Sequence, residues 1–188
     1  MFPWLNQVLS LHTVIWLLPI VFMFHDLEEI VTVEPFMRRN RMEIEKRLPS
    51  GIGKRLNKIF GMRTGSFAVA VGFMLLGVSF CTVWAGIALD QGGSLLPFAA
   101  ALAVFFAHSF THLGQSVLLR RYTPGVATAV LLVLPYSIYA YYRLFSADLL
   151  TWATAELGLL LGVGGVIPLL WLGHKTGTRL FKNGLDFE

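Results

Sequence analysis

The sequence contains a single cysteine, Cys81, and little charge. Only 14% of its 188 residues are Asp, Glu, Lys or Arg, whereas 55% are hydrophobic and the mean hydropathy is +0.65. One cysteine excludes a disulfide within the chain and a metal cage built from thiolates. The recurring apolar runs exclude a disordered tail and a soluble globular domain. The composition therefore predicts a polytopic membrane protein that forms one domain over residues 1–188.

Five apolar segments are long enough to cross a bilayer, which requires about 20 helical residues at a rise of about 1.5 Å each. These segments cover residues 11–33, 66–89, 95–118, 124–142 and 149–172. Helices are expected because an isolated strand would leave its backbone groups unpaired in lipid. The predicted fold class is all-α: an integral membrane bundle of about five transmembrane helices, with a basic amphipathic loop at residues 34–65.

The basic residues are distributed unevenly between the loops. Nine of the 15 Lys and Arg residues lie in loop 34–65, and only Arg143 falls on the opposite side of the five-span arrangement. Cytoplasmic loops carry the excess of Lys and Arg, so the sequence predicts an N-terminus outside and a cytoplasmic C-terminus. The pattern of residues 52–60 fits a short amphipathic helix that binds anionic membrane lipids, and the alternative is a solvated basic loop that enforces the topology.

Reporter fusions test this topology. Reporters placed near Asn40 and near Gly92 are expected to report opposite sides of the membrane, with the first in the cytoplasm, because the basic residues keep loop 34–65 inside. A fusion series that puts both positions on one side would contradict the five-span arrangement.

The first predicted span contains ionisable residues at membrane depth. His25, Glu28 and Glu29 stand at i, i+3 and i+4, so their side chains share one helix face. Asp26 points about 100° away from His25 and is the weaker candidate. Each charged side chain in the middle of a span costs roughly 2.5 to 3.5 kcal/mol on insertion scales. A cluster of them therefore indicates a functional site.

A second polar group lies in the third predicted span. His108 and His112 stand at i, i+4, the spacing at which a helix presents two imidazole nitrogens to one metal ion, and Gln115 continues the same face. Counted from the span centres, this group lies at the same depth as the first one. The matched depth predicts that the two spans are adjacent and that His25, Glu29, His108 and His112 are metal ligands.

The ligand types favour zinc, with iron or manganese next. Glu28 and Glu29 are the catalytic candidates: one would bind the metal and the other would act as general base, and the sequence leaves open which does which. The leading hypothesis is a metal-dependent intramembrane hydrolase that acts on a lipid or isoprenoid-like substrate. The alternatives are a di-iron oxidase, a haem protein with His25 as one axial ligand, and a proton or cation transport protein.

The string His-x-x-Glu-Glu, formed here by His25, Glu28 and Glu29 in a short basic chain with a later histidine pair, resembles the bacterial HxxEE-domain family. This resemblance implies a membrane protein, expected in the bacterial inner membrane, and adds weight to these three residues; that family supplies no characterised activity. The glutamate pair and later histidines also resemble, more weakly, those of CAAX-type intramembrane proteases. The motif of those proteases has an arginine where this sequence has Val33.

Small residues at helical spacing predict close helix packing, within the bundle or between copies in a homo-oligomer. They form two stripes, one of Gly158 and Gly162 and one of Ala99, Ala103 and Ala107. Despite a net charge of +4 and a pI near 9.5, no nucleic-acid partner is expected. The basic residues lie in the loops and the C-terminal tail on one side of the membrane rather than on a folded soluble surface.

Overall fold

The structure is a computed structural model and describes residues 3–47 and 64–182 of the chain. All regular structure within these ranges is helical, as the composition predicts. The helices are α1 (Pro3–Val8), α2 (Leu11–Arg47), α3 (Thr64–Gln91), α4 (Leu96–Leu119), α5 (Val126–Thr128), a π-helical segment (Ala129–Val133), α6 (Leu134–Ser146) and α7 (Trp152–Lys182).

Four helical stretches in the described ranges are long and apolar enough to cross a membrane. They are Thr64–Gln91, Leu96–Leu119, Val126–Ser146 and Trp152–Phe181, which correspond to the last four predicted spans. The first predicted span, 11–33, lies within α2, which is not among the four. Helix α2 carries Asp26, Glu28 and Glu29 and runs on into a basic segment. Length and composition thus support four of the five predicted spans.

Helix α2 is longer than the predicted span because it continues past Pro35 to Arg47, through the first part of loop 34–65. The Glu34 carboxylate accepts hydrogen bonds from the backbone N–H and the hydroxyl of Thr64, at 2.8 and 2.5 Å. This contact ties the middle of α2 to the start of α3. The amphipathic helix predicted at residues 52–60 lies outside the described residues.

A second set of polar contacts holds the C-terminal end of α2. Arg121, which follows α4, donates a hydrogen bond to the side chain of Asn40 and pairs with Glu43 at 2.7 Å. Two separate contacts, to α3 and to the segment after α4, therefore fix this half of α2 against the bundle.

Helix α7 packs along α3 and α4 through glycines that let the backbones approach. A Cβ atom on Gly158 would lie 3.0 Å from the backbone of Ala99, and one on Gly173 would lie 2.6 Å from the backbone of Ala70. Gly158 of one predicted small-residue stripe thus contacts Ala99 of the other within one chain. The homo-oligomer stays a prediction.

The π-helical segment joins α5 and α6 and changes the rotation of the side chains along this stretch. A π turn adds one residue to the helical repeat, so residues before it and after it face different directions than in a regular helix. Before the segment, Thr128 contacts His25; after it, the Tyr136 hydroxyl donates to the carbonyl of Val14 at 3.0 Å. One helical stretch thereby contacts two positions on α2.

Candidate metal centre

Four side chains from two helices converge inside the bundle: His25 and Glu29 from α2, and His108 and His112 from α4. One nitrogen or carboxylate oxygen of each lies within 4.8 Å of the others. Oε1 of Glu29 is 2.9 Å from Nε2 of His112, 3.7 Å from Nε2 of His108 and 3.9 Å from Nε2 of His25. The structure therefore brings together the four residues predicted as ligands, which we call the His/Glu cluster.

The dimensions of the His/Glu cluster suit one small divalent cation. Ligand bonds of about 2.0–2.1 Å place tetrahedral ligand atoms roughly 3.3 Å apart. The separations between ligand atoms in the cluster begin at 2.8 Å, between the Nε2 atoms of His108 and His112, and stay within 4.8 Å. They therefore lie on both sides of the tetrahedral value. Nε2 of His25 is buried and has no hydrogen-bond partner, as expected of a nitrogen whose lone pair is reserved for a metal. The cluster could hold a metal ion.

The tautomer of His25 follows from the proton of one neighbouring hydroxyl. Thr128 Oγ1 lies 2.5 Å from Oε2 of Glu28, to which it donates, and 2.9 Å from Nδ1 of His25. A hydroxyl has one proton, and Thr128 uses it to donate a hydrogen bond to the Glu28 carboxylate. Nδ1 of His25 must therefore donate to the Thr128 oxygen. In the neutral ring, the lone pair of His25 then lies on Nε2, which faces Glu29.

His112 is fixed in the same way by a backbone group. Its Nδ1 lies 2.8 Å from the carbonyl oxygen of Pro124, which can only accept a hydrogen bond. Nδ1 therefore carries a proton, and in the neutral ring the lone pair lies on Nε2, which faces Glu29 and His108. Metal-binding histidines are commonly oriented by such a partner on the second ring nitrogen.

His108 is held more loosely than the other two histidines. Its side chain is 43% exposed, and its Nδ1 lies 3.5 Å from Oγ1 of Thr111, which is too long to fix the ring. The Thr111 hydroxyl donates instead to the carbonyl of His108 at 2.7 Å. His108 is thus the most accessible member of the cluster.

Glu28 lies outside the His/Glu cluster, although it belongs to the same sequence motif. Its Oε2 accepts from the N–H of Thr128 at 2.7 Å as well as from the Thr128 hydroxyl, and its Oε1 accepts from the Tyr122 hydroxyl at 2.5 Å. Burial, followed by the hydrogen bond to Glu28, raises the pKa of Tyr122. This geometry does not test the catalytic role predicted for Glu28. Its hydrogen bonds hold Thr128 in position.

Three residues near the cluster were not anticipated as part of the site: Pro124, Gly125 and Thr128. Gly125 has φ of +80°, and a Cβ atom there would lie 2.7 Å from Cε1 of His112 and 2.9 Å from Oε1 of Glu29. The Pro-Gly pair is recognisable as a turn in the sequence. Nothing in the sequence indicates that this turn lies beside α2, which is almost 100 residues earlier at Glu29.

A cavity of about 160 Å³ opens beside the cluster, and Glu29, His108 and His112 form part of its wall. The rest of the wall is mostly apolar and consists of Val33, Phe36, Met37, Ile44, Gln115, Leu118, Leu119 and Pro124. A concave site with a few convergent polar groups and apolar walls is typical of a binding site for a small or chain-like molecule.

Comparison with known protein families supports the reading of the motif. A family model described as "Protein of unknown function with HXXEE motif" matches residues 16–140. The matched residues include the whole His/Glu cluster together with Glu28 and Thr128. No curated protein matches the chain, and no solved structure matches it. Because the family match covers more than half of the sequence and contains its motif, this chain belongs to the HXXEE family.

Proposed function

We propose that this protein is a metal-dependent enzyme of the membrane, a hydrolase that acts on a lipid or isoprenoid-like substrate. The observation that supports the proposal most is that Glu29, His108 and His112 line an apolar cavity. A structural metal site is closed by its ligands, whereas a catalytic one keeps a position open for water or substrate. The His/Glu cluster is buried at His25 and accessible at His108, as a catalytic site requires.

The proposed ligands differ in how firmly they are held. His25, Glu29 and His112 are assigned as permanent ligands because they are buried and because both rings have partners on Nδ1. His108 is assigned as a ligand that water or substrate can replace. A divalent cation bound there, with zinc as the first choice, would supply a Lewis acid and a water of lowered pKa. The chain itself orients the two rings and keeps the site apolar.

The donor set favours a single bare ion over the redox alternatives. A porphyrin has to surround its iron in one plane, and four side-chain donors within 4.8 Å of one another suit a bare ion better. Di-iron carboxylate sites of helical bundles use several glutamates, whereas the cluster in the described residues contains one, Glu29. Both comparisons support a mononuclear site.

Metal-dependent hydrolysis by the purified full chain tests the proposed function. The detergent-solubilised protein is stripped with a chelator, reloaded with zinc, iron or manganese, and incubated with labelled lipid esters, lipid amides and isoprenoid phosphates. We expect release of product from at least one substrate, dependent on added metal and absent in Glu29→Gln. Metal-loaded protein that hydrolyses none of the panel, or a Glu29→Gln variant as active as the wild type, would contradict the proposal.

The assignment of Thr128 as a positioning residue predicts a selective effect on metal binding. Thr128→Val keeps the shape of the side chain but removes the hydroxyl that links His25 to Glu28, so metal affinity should fall by about tenfold. Thr128→Ser retains the hydroxyl and should restore it. Competition with a coloured chelator measures both affinities. Equal affinities for the valine variant and the wild type would show that the hydroxyl does not orient His25.

The assignment of His108 as a replaceable ligand predicts a difference between the two histidines of α4. His112→Ala should reduce bound metal to background, because it removes a buried ligand and frees the Pro124 carbonyl. His108→Ala should keep most of the metal. Elemental analysis of both variants, purified side by side, decides the point. Equal loss of metal from both would mean that His108 is as firm a ligand as His112.

A further inference from the structure

We propose that the cavity binds the chain of an uncharged long-chain ester or amide, and that the Gln115 side chain donates a hydrogen bond to the carbonyl oxygen of the bond that is cleaved. This inference rests on the proposed hydrolase function and names its substrate class. Four features of the cavity wall carry it: its charge, its length, the position of its polar end and the position of Gln115.

Within residues 3–47 and 64–182, the cavity wall offers no cation to an anionic headgroup. None of the described residues that line it is a lysine or an arginine. Arg121, on the segment after α4, is already bound to Glu43 and Asn40. Proteins recognise phosphate groups mainly through arginine and lysine side chains, because hydrogen bonds between these oppositely charged groups are strong. The lack of such side chains in the described part of the wall favours a neutral substrate over a lipid phosphate or diphosphate.

The residues of α2 that line the cavity extend over several turns of the helix. On α2 the wall includes Glu29, Val33, Phe36 and Met37, at i, i+4, i+7 and i+8 on one helix face, and reaches Ile44. From Glu29 to Ile44 the helix rises roughly 22 Å. A hydrocarbon chain that lies along this face would begin at the His/Glu cluster and end near the C-terminal end of α2.

Gln115 is the one polar residue of the wall, among those described, that is not part of the cluster. It follows His112 by three positions on α4, where side chains of one face have Cβ atoms about 5–6 Å apart. Its amide nitrogen can donate two hydrogen bonds. A donor at this distance from the cluster can reach the carbonyl oxygen of a bond held there and stabilise the charge that develops on it.

The reaction is an ordinary hydrolysis and needs no co-reactant besides water. The water oxygen forms a bond to the acyl carbon, and the bond from that carbon to the leaving oxygen or nitrogen breaks. The proton lost by the water passes to the leaving atom. The products are a carboxylic acid, which retains the long chain, and an alcohol or amine.

Photolabelling of the full chain in detergent tests the inference. The probe is a monoacylglycerol with a diazirine in its acyl chain, and the competitors are unlabelled monoacylglycerol and a lysophosphatidate with the same chain. Labelled peptides are identified by mass spectrometry, and bound metal is measured in the same samples. We expect labelling of α2 between Val33 and Ile44, with the neutral lipid as the better competitor by about tenfold or more.

Matched variants separate the cavity from the lipid-facing surface. Leu118 lines the cavity and is 53% exposed, whereas its neighbour Val117 is 77% exposed and does not line it. Leu118→Trp should reduce labelling by about tenfold and Val117→Trp should leave it unchanged, because only the first indole fills the cavity. Gln115→Leu should weaken probe binding by about fivefold, the loss of one hydrogen bond. All three variants should retain metal.

The outcomes distinguish this inference from the proposed function. Retained metal together with unchanged labelling in both Leu118→Trp and Gln115→Leu would overturn the inference and leave the metal site standing. Stronger competition by the lysophosphatidate would also overturn it. Specific labelling of the cavity in a wild-type protein that binds no metal would support the cavity assignment and refute the metal-dependent hydrolase.

Discussion

Glu29→Gln is expected to lower the affinity for a divalent metal by at least about 100-fold, and Glu28→Gln by no more than about tenfold. The two residues are neighbours in the motif, but only Oε1 of Glu29 contacts the imidazoles of the cluster, at 2.9 Å from His112. Glutamine at position 29 removes the only carboxylate of the cluster. Glutamine at position 28 keeps an oxygen that can accept the hydrogen bond from Thr128.

Metal titration of the two variants beside the wild type measures this difference. Both substitutions remove one negative charge from adjacent positions of α2, so each is a control for the other against a general electrostatic effect. The expected order of affinity is wild type, then Glu28→Gln, then Glu29→Gln. The reverse order would assign the ligand role to Glu28, and equal affinities in all three proteins would mean that neither carboxylate binds metal.

Gly125→Ala is expected to abolish metal binding, whereas Gly92→Ala is not. Both glycines have positive φ, +80° and +74°, so alanine strains the backbone at either position by about 1–2 kcal/mol. The surroundings differ: a Cβ atom at position 92 meets nothing within 4 Å, whereas one at position 125 would come within 2.9 Å of both His112 and Glu29. The second substitution therefore has to displace two of the proposed ligands.

Thermal unfolding in detergent, with and without added zinc, tests this pair. Gly92→Ala should lower the melting temperature slightly and keep the stabilisation by zinc that the wild type shows, because a ligand that binds only the folded state raises its stability. Gly125→Ala should lose that stabilisation. Stabilisation by zinc that is equal in both variants would contradict the close contact between Gly125 and the cluster.

The sequence was sufficient to predict the helical fold, four of the spans and the members of the His/Glu cluster. Those predictions rest on local rules: the length of apolar runs, and the i, i+4 spacing that places His25 with Glu29 and His108 with His112. The prediction that the two pairs meet needed one further step, the comparison of their depths. That step rests on the expectation that a bilayer fixes the axial position of each spanning helix.

The separate environments of Glu28 and Glu29 could not be predicted from the sequence. The two side chains differ by about 100° around α2, and both could face the cluster until the position of the neighbouring helix is known. Thr128 occupies the side that Glu28 faces, and it is set there by the turn at Gly125 and by the π-helical segment. These are tertiary features, which leave no periodic signal in the sequence.

The cavity could not be predicted from the sequence either, for a related reason. Its wall combines residues of α2 beyond the predicted span, such as Met37 and Ile44, with the C-terminal end of α4. The sequence indicated a basic loop from residue 34 onward, because nine of the residues from 34 to 65 are Lys or Arg. Its buried face, with Met37 and Ile44, becomes apparent only when the helix is seen to continue to Arg47.

The central claim is that His25, Glu29, His108 and His112 together bind one divalent cation. Elemental analysis of the detergent-purified full chain, with Glu29→Gln prepared in parallel, tests this claim most directly. The account predicts about one equivalent of metal per wild-type chain, with zinc as the first expectation, and background metal in the variant. Wild-type protein that contains no metal after purification, and takes up none when zinc, iron or manganese is added, would contradict it.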